Sequence, residues 1–80
     1  MKAKQIRERD GYTTFKMTPP YMGNEYVIMY GATTIKGPMV FTWPADETGH
    51  IKDIFELPCS VEGTDKLTAA IAKAGYSLEF

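Results

Sequence analysis

Tyr26-Val27-Ile28-Met29-Tyr30 decides how this chain folds. All five residues are apolar or aromatic, four of them are strong β-formers, and Gly31 follows. In a strand, alternation places Tyr26, Ile28 and Tyr30 on one face and Val27 and Met29 on the other. A strand apolar on both faces belongs in the middle of a sheet. What covers each face is then the question the rest of the chain must answer.

Upstream, Asp10-Gly11 is the clearest local signal, because Asp-Gly supplies the positive φ angles of a tight type I′ hairpin turn. Pairing outward sets Arg9 against Tyr12, Glu8 against Thr13, Arg7 against Thr14 and Ile6 against Phe15. The second arm, Tyr12 to Met17, is rich in β-formers, and the charged first arm suits an edge. Pro19-Pro20 is expected to end that strand, leaving Thr18 to Glu25 as a loop that presents Tyr21 and Met22. Downstream, Gly31 is expected to end the central strand and Lys36-Gly37-Pro38 to form a turn. Met39-Val40-Phe41-Thr42-Trp43 then makes a strand with Met39, Phe41 and Trp43 on one face, stopped by Pro44. Asp46 to Gly49 is turn chemistry. His50 to Leu57 reads as a short strand with a bulge, one turn of helix at Lys52–Phe55 being the alternative.

The helix signal lies near the C-terminus. Thr64 is the expected N-cap, Asp65 suits the first turn, and Leu67, Ala70, Ile71 and Ala74 recur at i, i+3, i+4 and i+7. Gly75 follows as the residue that ends the helix. So short a helix must dock by its apolar stripe. Tyr76, Leu78 and Phe80 alternate, as a last strand would. The expected fold is a single α+β domain over residues 1–80: an antiparallel sheet of four to five strands with one C-terminal helix, about 64–74, packed on one face.

Composition narrows the function classes. A chain of 80 residues buries only about 60% of its unfolded surface and has little room for a deep pocket. The net charge of −1 does not mark a strongly basic nucleic-acid binder, but the charge is uneven. Residues 1–40 carry six Lys/Arg against three acids, net +3; residues 41–80 carry three against seven, net −4. One cysteine, Cys59, permits no internal disulfide. With no signal-like apolar run and no membrane-length segment, the expected setting is cytoplasmic, without a membrane.

Few residues point to catalysis. Asp46, Glu47, His50 and Asp53 carry metal-ligand chemistry, but on one turn and with one histidine a polar loop accounts for them better. Cys59 and His50 would make a nucleophile–base pair only if the fold joined them, and a lone cysteine is usually a small buried hydrophobe. Gly31 to Gly37 echoes a phosphate loop, yet Lys36 is followed by Gly37-Pro38 rather than Ser or Thr. No cofactor, metal or catalytic residue is assigned.

Ten aromatic residues exceed what one short helix can cover. A surplus apolar sheet face marks a partner or a homodimer, with Tyr21, Met22, Tyr26 and Tyr30 as candidate protein-binding residues. The leading expectation is a non-enzymatic module acting through a protein–protein surface. The alternative is nucleic-acid binding through the basic N-terminal hairpin, with Lys2, Lys4, Arg7, Arg9 and Lys16 contacting phosphates. A small metal-binding protein or enzyme comes third.

Val40-Phe41-Thr42-Trp43-Pro44-Ala45-Asp46, Gly49, Glu56-Leu57-Pro58, Ser60 and Ala74-Gly75-Tyr76 together resemble short, uncharacterised proteins encoded by phages and prophages. The resemblance spans about residues 39–76. It implies an accessory role without catalysis, such as binding and blocking a host or defence protein in the host cytoplasm, as anti-CRISPR proteins do.

Overall fold

In the computed structural model residues 1–79 are described. Asp10 and Gly11 take positive φ angles of 52° and 84°, so β1 (Lys2–Arg9) turns directly into β2 (Tyr12–Tyr21). Arg9, Glu8 and Arg7 pair with Tyr12, Thr13 and Thr14 as the turn requires. The expected Ile6–Phe15 pair does not form: Gln5 takes that place and Ile6 is an extra, bulged residue. The bulge has a physical reason. Without it Lys2 and Lys4 would face the core, whereas with it Ala3 packs there, fully buried opposite Met17.

Pro19-Pro20 does not end the strand. β2 runs to Tyr21 through a cis Thr18–Pro19 bond and turns at Met22-Gly23 into β3 (Asn24–Thr34). Only the turn of the expected 18–25 loop remains. Gly31 does not end β3 either; it lies mid-strand opposite Val40. Its role is close approach, since a Cβ there would lie 2.3 Å from the Asp65 carbonyl oxygen. β4 (Gly37–Ala45) extends past Pro44, whose missing N–H falls where no strand pairs.

The segment 50–57 is not a strand. Ile51 makes one isolated bridge to Ala45, and the Lys52 and Leu57 N–H groups donate to the carbonyls of Pro44 and Thr42. These bonds tie an irregular segment to the edge of β4, while Ile54 and Phe55 stand 83% and 74% exposed. The chain then adds β5 (Val61–Glu62), α1 (Leu67–Lys73) and β6 (Ser77–Glu79). The sheet has six strands in the order β5-β4-β3-β2-β1-β6, and β6 runs parallel to β1. It is therefore a mixed sheet with one strand more than the upper expectation. The α+β class stands. Phe80, the end of the expected alternation, lies outside the described residues.

α1 is shorter than the expected 64–74. Lys66, not Thr64, occupies the N-cap; the Thr64 hydroxyl instead accepts the Lys66 N–H in the preceding turn. The C-terminus closes as a Schellman motif, with the N–H groups of Gly75 and Tyr76 donating to the carbonyls of Ala72 and Ile71. Ala70 and Ile71 of the stripe are buried against Val27, Met29, Met17, Phe15, Val40 and Cys59. No helix among the described residues is long and apolar enough to cross a membrane.

Candidate functional site

The face opposite α1 follows from register alone. Tyr12, Thr14 and Lys16 pair with Tyr30, Ile28 and Tyr26, which pair in turn with Phe41, Trp43 and Ala45. All these side chains therefore stand on the side the helix does not cover. Tyr12 and Tyr30 stack with ring centroids 4.4 Å apart, Phe41 and Trp43 stack at 5.7 Å, and Tyr12 reaches Trp43 at 6.3 Å. Four half-buried rings thus form two stacked pairs that meet where Tyr12 approaches Trp43.

The bulge at Ile6 adds charge to the same face. Arg9 and Arg7 lie opposite Tyr12 and Thr14, and Lys4 and Lys2 lie opposite Lys16 and Thr18. An unbroken strand would have put the two lysines on the other side. All five basic candidates therefore stand on this face, Arg7 and Arg9 beside the aromatic cluster and Lys4, Lys16 and Lys2 further along the strands. Along β1–β4 the Glu25 carboxylate reaches this face, 3.7 Å from Lys16. Glu79 and Glu62 sit at its outer edges.

The protein-binding candidates separate into two groups. Tyr26 and Tyr30 belong to this face. Tyr21 packs on the helix side, edge to face with Tyr76, and Met22 projects from the adjoining turn, 64% exposed. The Tyr76 hydroxyl donates to the Pro19 carbonyl, which closes that end of the core. Sequence reasoning missed Tyr12, Phe41 and Trp43. Their signal was present in the alternation of β4 and in the turn pairing, but nothing local said which face would stay uncovered.

The turn after β4 folds over one end of the open face. Asp46 accepts hydrogen bonds from the Thr48 N–H, the Thr48 hydroxyl and the His50 N–H at 2.6–3.0 Å. The Thr48 bond chiefly, with that of His50, lowers the carboxyl pKa from 3.8 to about 2. The carboxylate organises its own turn. Among the described residues, Asp46, Glu47, His50 and Asp53 do not gather as a metal-ligating group. Cys59 lies fully buried on the helix side, away from exposed His50, and burial raises its pKa. The structure does not join them as nucleophile and base.

Beneath this turn a cleft of about 260 Å³ opens between Gly49 and the first hairpin, with Arg7, Arg9, Tyr12 and Ile28 in its walls. Gly49, at φ 89°, presses so closely that a Cβ would lie 2.8 Å from Arg7 Cδ and 3.2 Å from the Thr14 hydroxyl. That hydroxyl is buried and, among the described residues, has no hydrogen-bond partner.

Comparison with protein-family models, curated proteins and solved structures gives no match for this chain.

Proposed function

We propose that this protein is a non-enzymatic binding module that works through the open face of its sheet. The carrying observation is that four clustered rings and five basic side chains share the one face that α1 leaves free. Tyr, Trp and Arg are the residues that anchor protein interfaces, since each buries much area and still offers a polar tip. The basic margin selects an acidic partner surface through electrostatic complementarity. The resemblance to phage proteins adds the direction that the partner is a host protein, blocked by being bound.

A second reading rests on the same basic row. Aromatic rings beside Arg and Lys also serve single-stranded nucleic acids, which stack bases on ring faces. Here the ring faces are engaged in stacking on one another, which favours the protein reading.

Photo-crosslinking separates the two. A benzophenone side chain replacing Phe41 should trap a protease-sensitive adduct in the cell that encodes the protein; one replacing exposed Ala72 on the helix should not. A nuclease-sensitive adduct at position 41 would install the second reading. Equal yields at both positions, or none at 41, would overturn the open face as the binding surface.

A further inference from the structure

We propose that the cleft beneath the 46–51 turn is a carboxylate subsite, which receives one acidic side chain of the partner; this rests on the open face being the binding surface. Arg7 and Arg9 stand two residues apart on β1 and line the cleft together. Among the described residues neither guanidinium has an ion-pair partner. Arg7 is also held in place: its stem lies against Gly49, close to Thr14. A guanidinium on an ordered stem loses little further freedom when it grips an anion, so its hydrogen bonds are realised nearly in full.

Thr14 supports the wall from behind. It is 1% exposed, its hydroxyl without a partner among the described residues and covered by Gly49. On each side its cross-strand neighbours, Arg7 and Ile28, line the cleft.

Charge and size select the ligand. Arg7, Arg9 and Asp10 give the walls a net charge of +1, and Tyr12, Ile28 and Ile51 supply apolar surface. About 260 Å³ is below the usual range for a drug-sized ligand, ~300–1,000 Å³, and suits one side chain. A monoanionic carboxylate on an aliphatic stem matches both. A phosphodiester shares the oxyanion chemistry but brings no stem to lie on the apolar wall.

The test uses small probes on the full chain, so it does not depend on finding the partner. The N-acetyl, methylamide-capped form of glutamate, which has one carboxylate, is titrated while backbone amides are followed by NMR. Shifts should concentrate at Arg7, Arg9, Thr48 and Gly49. Arg7→Gln should weaken binding roughly tenfold, the scale of a charge-assisted bond, while Lys36→Gln at the far hairpin changes nothing. Tighter binding of dimethyl phosphate would overturn the carboxylate assignment in favour of a nucleic-acid backbone. No saturable shift, or shifts spread to Lys36, would overturn the subsite altogether. Crosslinking at position 41 together with a silent cleft removes only the subsite; a responsive cleft without crosslinking removes the open-face reading instead.

Discussion

The two faces of this sheet were built from different materials. Under α1 lie Val27, Met29, Val40, Met17 and Cys59, each at most 1% exposed. On the other side stand Tyr12, Tyr30, Phe41 and Trp43, all half-buried. The helix side also holds rings, with Phe15 and Tyr76 buried in its core and Tyr21 packed against it, but there a seven-residue helix closes over them. The open-face rings gain contact from one another instead. One face is closed by the helix, and the other leaves half-buried rings and cations uncovered by it.

Mutations should break this contrast unequally. Met29→Ala, beneath the helix, is expected to cost about 2–5 kcal/mol in urea unfolding, a large share of the ~5–15 kcal/mol a small domain has. Gly31→Ala forces the strand away from Asp65 and should cost about 1–3 kcal/mol by the same measurement, as overpacking does. On the open face, Tyr30→Thr removes the stacked pair with Tyr12 and should cost only about 0.5–1.5 kcal/mol, while abolishing partner capture at position 41. If Tyr30→Thr proved as destabilising as Met29→Ala, the division of labour between the faces would be wrong. Thr14→Val is expected to have the opposite sign, a gain of about 1 kcal/mol read as a higher unfolding midpoint, because a stranded donor is replaced by a methyl group.

The smallest expected effect is a pH response of the turn over the open face. Asp46 has a folded pKa near 2, below its ordinary 3.8. Its stabilising effect is therefore fully present above the unfolded value and is lost as pH falls through about 2. The amide signals of Thr48 and His50 should move together with a midpoint near pH 2, and Asp46→Asn should abolish that step. Cys59, its thiol held neutral by burial, should resist alkylation at neutral pH in the folded protein.

Sequence signals were most reliable where the determinants are local. The Asp10-Gly11 turn fixed three cross-strand pairs before the bulge intervened. The i, i+3, i+4 stripe located α1, and Gly75 marked its end. The false stops at Pro19-Pro20, Gly31 and Pro44 each turn on tertiary context. The prolines lie where no neighbouring strand needs their N–H, and the missing Cβ of Gly31 is required by the Asp65 carbonyl. Thr64 misled for a related reason: its hydroxyl is used one turn early. Of the candidate site, Tyr26, Tyr30 and all five basic residues were legible as types, but not as one surface.

What the sequence determined by itself was the α+β class, the hairpin register near its turn, the two-faced central strand and the helix with its stripe. Only the tertiary structure decided which face of that strand the helix would take. It also decided that Ile6 would bulge, that β6 would close beside β1, and that five cations would share a face with four rings. A period of two defines two faces and ranks neither. The choice is made by long-range packing, where Ala3 must meet Met17 and Gly31 must admit the Asp65 carbonyl, and no local pattern encodes such contacts.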